Sequence, residues 1–170
     1  EIRHTFRMHQ YYEDRLPIPD VYLDLDSPVA NGGVYLQDEW QVIDAIGVIG
    51  GVRADLYPDF GLTVNPRVAL LVDPTSTTTL KFLYGTAFRA PNGYERFYDD
   101  GGVYQKAPKS LDPEKVQTAE VVVEQGLGKS WSAVATAYHT IMNDLIATAV
   151  DQRDGLAVFD NLDSARNTGG

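Results

Sequence analysis

The chain contains no cysteine. Disulfides and thiolate metal sites are therefore excluded, and the absence suits a protein that crosses an oxidising compartment, where stray thiols are a liability. Only three histidines occur, His4, His9 and His139. His4 and His9 lie five apart, a spacing that suits neither one strand face nor one helix turn, so no metal site is expected, since such sites need converging ligands. No run of about 18 apolar residues exists, so no transmembrane helix is expected; a transmembrane strand needs only ~9–11 residues with one apolar face. Basic residues are the minority, 14 Lys and Arg against 24 Asp and Glu, giving a formal charge of −10. That balance argues against nucleic acid and against an anionic membrane surface as partners. Hydrolytic motifs are missing as well. There is no G-x-S-x-G elbow and no H-E-x-x-H. Gly128-Lys129-Ser130 ends like a phosphate loop, but the earlier glycine would be position 123, which is Val123. No enzyme and no cofactor are expected.

What the chain does have is alternation. Residues 34–43 read as a strand, Asp44-Ala45 as a tight turn, and residues 46–57 as the return strand. On the return strand Val48, Gly50, Val52, Ala54 and Leu56 share one face, and Ile49, Gly51, Arg53 and Asp55 the other. Further strands are expected from Pro66 to Val72, from Thr79 to Arg89, from Val116 to Gln125 and from Trp131 to Met142, with a last hairpin of residues 145–150 and 156–161. Short turns are expected at Asp44, Asp73-Pro74 and Gly126, and long loops around Pro58 and Asn92. Residues 1–33 read as a strand end followed by a long loop, because Pro17, Pro19 and Pro28 oppose a central strand. Asn31-Gly32-Gly33 reads as a turn closing that segment. The sum is an all-β chain of about seven or eight strands with no helix and no fixed-period repeat.

Alternation alone fits two architectures. In a soluble sandwich the apolar face meets a second sheet, whereas in a transmembrane barrel it meets lipid. Two features favour the barrel. Tyr35, Trp40, Tyr57, Tyr84, Trp131 and Tyr138 are read as aromatic girdles on the apolar faces near strand ends. The polar faces carry both charge signs at mid-strand, as in Arg53 with Asp55, Lys81 with Arg89, and Glu120 with Glu124. The alternative is a soluble all-β binding or adhesion domain, for instance one that takes carbohydrate.

Several motifs then occur in a family's order. Tyr35 to Trp40 reads YLQDEW, Gly51 to Asp55 reads GVRAD, and Asn65-Pro66-Arg67 opens the next strand. Leu80-Lys81 runs to Phe88-Arg89-Ala90-Pro91, then Leu111-Asp112-Pro113-Glu114 with Glu120, Asn143-Asp144-Leu145-Ile146, and Phe159-Asp160-Asn161. Together, over residues 33–170, they resemble the β-barrel of TonB-dependent outer-membrane receptors. The resemblance implies an antiparallel up-and-down barrel of 22 strands filled by a plug and energised by the TonB complex. It implies a cell outer-membrane location, a lipid-facing wall and an extracellular small-molecule ligand such as a ferric siderophore. Residues 1–170 would be part of that barrel domain, with plug and C-terminal strands lying elsewhere. Haem receptors of the family place a histidine between the FRAP motif and the following box. None lies between Pro91 and Ser110, which argues against haem and leaves ferric siderophore, cobalamin and oligosaccharide.

The candidate ligand contacts sit in the long loop: Tyr94, Arg96, Phe97, Tyr98 and Tyr104. Rigid aromatics give contact area at small entropic cost, and an arginine fork suits an anionic chelate. Packing of the loop against its neighbours is the competing role. Asp99-Asp100-Gly101-Gly102, and Asp24 with Asp26, could offer oxygens to calcium, but a solvated loop is the expected reading. Arg89 is expected to be structural or lumen-facing.

Overall fold

The computed structural model describes the backbone of residues 2–14, 20–162 and 164–170, and side chains within 9–13, 21–26, 30–162 and 164–170. It is all-β apart from one short helix. The strands are β1 (Ile2–Asp14), β2 (Asp20–Ile43), β3 (Ile46–Tyr57), β4 (Gly61–Thr75), β5 (Thr78–Arg89), β6 (Glu114–Leu127), β7 (Trp131–Asn143), β8 (Leu145–Val150), β9 (Ala157–Leu162) and β10 (Ala165–Gly169). Helix α1 (Gly93–Phe97) lies between β5 and β6. Eight strands form one antiparallel sheet in the order β1-β2-β3-β4-β5-β6-β7-β10, and β8 with β9 forms a separate hairpin. Among the described residues β1 and β10 are not paired to each other, so the sheet is an open arc.

Residues 2–14 and 20–33 are strand, not loop. All of β1 pairs with the first half of β2, from Ile2↔Gly32 to Asp14↔Asp20. Only from Gly32 onward does β2 pair with β3. The two halves of β2 thus do different work: the second belongs to the wall, and the first stands with β1 as an arm above the rim of β3. Asn31-Gly32-Gly33 runs straight through the junction. A Cβ at Gly33 would overlap the Asp55 carboxylate, which is the reason for glycine there. Pro17 and Pro19 lie outside the described residues.

Each described proline inside a strand sits where a ladder is interrupted. Pro28 falls at the register break between β1 and β2. Pro74 falls in the bulge between Val72↔Leu80 and Thr75↔Thr78, so β4 extends through Asp73-Pro74 and the turn is at Ser76-Thr77. Pro66 is mid-strand in β4, one residue beyond the last pair to β5, Arg67↔Gly85. Its carbonyl is reached by the Thr86 hydroxyl at 3.4 Å, so its nitrogen also points toward β5, where no ladder partner waits. The expected long loop at Pro58 shrinks to Pro58-Asp59-Phe60.

The two faces differ as period-2 alternation requires. Val52, Val68, Phe82 and Val121 follow one another across β3 to β6 on the apolar face, and Trp40 lies against Gly50 there. On the polar face Arg53 binds Asp55 through contacts of 2.7–3.0 Å, and Lys81 reaches Glu124 at 2.6 Å. Arg67 stretches beneath Gly51 to Tyr35 and Gln37, two strands away, its guanidinium 4.9 Å from the Tyr35 ring centre. Tyr35 is therefore on the polar face, opposite Arg53, and Tyr138 is there too, opposite Glu120. Tyr57, two residues on from Asp55 in an unbroken ladder, shares that side. All three fall outside the apolar girdle that the sequence implied, because register and not residue type decides the face. Trp40, Tyr84 and Trp131 keep their places.

Turns at one end of the sheet are short: Asp44-Ala45, Ser76-Thr77 and Gly128-Lys129-Ser130. The other end carries α1 with its flanking loop, the β1–β2 arm and the β8–β9 hairpin. The chain leaves β7 at Asp144, which has φ 57°, makes the hairpin and returns as β10 to pair with β7. That last strand, Ala-Arg-Asn-Thr-Gly, is too short and polar to show alternation.

Candidate functional site

The loop between β5 and β6 is built from its helix outward. Asn92 caps α1, its side chain accepting the Glu95 N–H at 2.9 Å while Glu95 accepts the Asn92 N–H at 2.8 Å. This is the capping box Asn-x-x-Glu, visible in the sequence at 92–95 and overlooked because the segment reads as loop. Gly93 presses on the arm: a Cβ there would overlap Gln10 and lie 3.1 Å from Leu25. Arg89, at the end of β5, donates to Glu95 at 3.1 Å twice and to Glu114 at 2.6 and 2.8 Å.

The five expected contact residues divide into packed and presented groups. Tyr98 sits in a ring cluster with Tyr94 at 4.5 Å, Tyr12 at 5.6 Å and Tyr22 at 6.2 Å. Burial and the neighbouring Tyr94 and Asp100 push its phenol above the ordinary value. Tyr94 also meets Phe159 of β9 edge-on at 5.9 Å, which joins the loop to the hairpin. Arg96 is held by Asp59 at 2.6 Å and lies over Phe97 at 4.7 Å. Tyr104 stands apart, with 78% of its surface exposed. Its backbone is nevertheless fixed: its N–H donates to Asp100 and its carbonyl accepts from Ala157 at 2.8 Å.

Asp100 was expected in a solvated loop, yet it is only 5% exposed. Burial alone would raise its carboxyl, but the N–H groups of Gln105, Val103, Tyr104 and Gly102 outweigh that and hold it below the ordinary value. Asp99 accepts from Gly101 at 2.9 Å and Ala107 at 3.2 Å. Both carboxylates thus shape the backbone. Asp24 holds His9 at 3.0 Å. No group of three potential metal ligands occurs among the described residues.

Sequence reasoning missed the partner of this loop. Lys106 donates to Asp151 at 2.6 Å and also to Asp154, both in the turn of the β8–β9 hairpin. Arg153 grips Asp151 through contacts of 2.7 and 3.0 Å. The Lys106 ammonium is held above its ordinary value by Asp151 and Asp154. Asp151 is held well below its own value by Arg153 and Lys106, and Asp154 by Lys106. Asn161 adds bonds to both backbone groups of Asp112. Between loop and hairpin lies an open cleft of about 480 Å³, lined by Lys106, Lys109, Asp151, Arg153 and Phe159. A second cleft of about 360 Å³ opens between Phe60, Arg96, Phe97 and Leu111, with Lys109 on its wall too. Arm, loop and hairpin therefore make one platform with aromatic rings, two clefts and paired charges, able to hold a small molecule at one end of the sheet.

Comparison with known proteins places this geometry. The structure is similar to the siderophore receptor PirA of Pseudomonas aeruginosa, with TM-score 0.73 and 23% identity over 85% of this chain and 28% of that one. It is also similar to a mutant of the ferric enterobactin receptor PfeA of Pseudomonas aeruginosa in complex with enterobactin, with TM-score 0.74 and 18% identity over 86% and 24%. The FrpB iron transporter of Neisseria meningitidis gives TM-score 0.65 and 18% identity over 85% and 23%. At these identities the likeness is one of fold. The chain spans about a quarter of the length of these structures. No curated protein sequence matches it. The family model for TonB dependent receptor-like β-barrels matches residues 4–170, and the chain belongs to that family.

Proposed function

We propose that this chain is a stretch of barrel wall, with its ligand-facing loops, from an outer-membrane receptor that takes up a ferric siderophore or a similarly scarce nutrient. Members of the family are outer-membrane β-barrel receptors and not enzymes. In this reading no bond is made or broken. The loop platform holds the ligand, and transport is energised by the TonB complex acting through a plug that fills the barrel. The apolar face of the sheet meets lipid and the polar face, with its Arg53–Asp55 and Lys81–Glu124 pairs, lines the lumen.

The observation that carries the reading is the platform itself. Tyr104 offers an exposed ring on a backbone pinned at both its N–H and its carbonyl, and Tyr94 and Phe97 are part-exposed beside it in sequence. Fixed backbone and free ring is the arrangement that binds without a large ordering cost. The experiment uses the full-length receptor. Cell fractions are run before and after boiling, and purified receptor is titrated with ferric enterobactin and with a ferric trihydroxamate. The reading expects an outer-membrane band with heat-dependent mobility, retention of one ferric chelate, and at least about fivefold weaker retention in Tyr104→Ala, the loss of roughly 1 kcal/mol of aromatic contact. A soluble product without a mobility shift would replace the receptor by a sandwich domain. An outer-membrane barrel that retains neither chelate would redirect it to cobalamin or oligosaccharide.

A further inference from the structure

We infer that Arg89 is a positioning residue for the platform: it clamps α1 and the β8–β9 hairpin to the barrel rim through one shared ion cluster. The inference rests on the platform being the ligand-binding surface. Its geometry stands on Arg89 itself. The guanidinium fork is filled by two carboxylates, Nε and Nη2 on Glu114 and Nη1 on both oxygens of Glu95. The side chains of Glu95 and Glu114 are only 12% and 13% exposed; that of Arg89 is 43% exposed, but Nε, Nη1 and Nη2 are each already engaged by these two carboxylates. Arg89 therefore acts through what it holds.

It holds two things. Glu95 is the N3 residue of the α1 capping box, so the ion pair fixes the helix that carries Tyr94, Arg96 and Phe97. Glu114 accepts the Ile146 N–H at 2.9 Å through the oxygen that Arg89 Nη2 also reaches, so the same cluster fixes the start of β8. The hairpin then meets the loop again through Phe159 on Tyr94 and Lys106 on Asp151. A single cation at the end of β5 thus ties down α1, whose Arg96 and Phe97 line the smaller cleft, and the hairpin, which lines the larger one. Lysine would substitute only in part: its ammonium can donate to two carboxylates, as Lys106 does to Asp151 and Asp154, but it cannot make the planar bidentate contact with Glu114 while also reaching both oxygens of Glu95.

The test separates clamp from cap and from ligand. Full-length receptors carrying Arg89→Gln, Arg89→Lys, Glu95→Gln or Glu114→Gln are compared with the unmodified receptor. Glutamine at position 95 still closes a capping box, so that variant loses the ion pair alone. Hydrogen exchange of amides in 93–98 and 146–150 is read beside ferric enterobactin retention and the heat-dependent mobility shift. Arg89→Gln is expected to speed exchange about tenfold or more in both segments and to weaken retention similarly, with the mobility shift kept. Arg89→Lys should recover only part. Glu95→Gln should loosen 93–98 alone, and Glu114→Gln mainly 146–150. Unchanged exchange in both segments of Arg89→Gln overturns the clamp, as does equal loosening of both by Glu95→Gln. If Arg89→Gln fails to reach the membrane, the two glutamate variants decide. If both segments loosen but even the unmodified receptor retains no ferric enterobactin, the clamp stands and the ligand reading falls for that chelate.

Discussion

The wall and the platform are held together by different physics. In β2 to β7 the backbone ladders supply the order, and large apolar side chains are left open; Leu36 is 71% exposed and Trp131 78%. Among the described residues the wall buries one side chain, Asp55, in its pair with Arg53. The platform differs. Its arm and hairpin have ladders of their own, but side chains join its parts: it buries Leu23 and Asp100 and is laced by rings, caps and ion pairs. The wall is thus a sheet that needs surroundings on both faces, whereas the platform supplies most of its own partners. A soluble domain would bury the wall first.

Four changes would break or sharpen that contrast. The largest effect is expected from charge on the apolar face. Val68→Arg, mid-strand in β4, should cost about 2–4 kcal/mol if that face meets lipid. Outer-membrane abundance and the heat-dependent band should fall, while Ala69→Arg, one residue on and on the polar face, should be much better tolerated. Equal tolerance at both positions would remove lipid from the account. Next comes Gly51→Val. Its Cβ would stand 3.2 Å from Arg67 Nε and 3.3 Å from the Leu36 carbonyl, so Arg67 must shift and its reach to Tyr35 is expected to weaken. A cost of roughly 1–3 kcal/mol is expected in the thermal unfolding of the barrel, since overpacked sites relax incompletely.

Acid should separate platform from wall. Asp151 and Asp154 are held below their ordinary value of 3.8, so their contribution to docking the hairpin is complete above that pH and is lost as pH falls through the depressed values. Lys106 is held above its ordinary 10.5, so its contribution is complete below that value and lost only as pH rises through the raised one. Limited proteolysis near Arg153 should be flat from about pH 5 to pH 9 and rise only in acid below that range, with the sheet intact. A rise near neutral pH would point to histidine control instead. The smallest change in stability is expected from Tyr104→Ala, whose ring is 78% exposed; a calorimetric midpoint within about 1 °C of the parent would agree, with surface changes within ~0.5 kcal/mol. Tyr98→Ala, in the ring cluster, should cost more, each aromatic pair being worth ~0.5–1.5 kcal/mol.

Much of the wall was legible in the sequence. From residue 34 to residue 143 alternation located every sheet strand, since each has one apolar and one polar face. It failed where that contrast fades. The β1–β2 arm is rich in aspartate and packs against the β5–β6 loop as well as its own partner, so its pattern is not two-sided. The turn at Asp73-Pro74 was misplaced because proline signals a break without saying whether chain or ladder breaks. The five candidate loop residues were chosen by type, and all five lie at one end of the sheet. Their division into packed and presented rings was out of reach, because it depends on Tyr12, Tyr22 and Phe159, which come from other strands. The Lys106–Asp151 pair spans 45 residues, a distance over which composition carries no signal.

The prolines have one more consequence, for assembly. A strand that slips by one residue turns its apolar set to the wrong face and is rejected for that reason; a slip by two keeps every face correct. Alternation therefore cannot police even-numbered errors. Pro66 and Pro74 can, because neither has a partner in the native β4–β5 ladder: a two-residue slip one way would set Pro66 opposite Tyr84, and the other way Pro74 opposite Leu80, where the ladder asks for an N–H. They guard the pairing of β4 with β5 against the one class of mistake that hydrophobicity forgives.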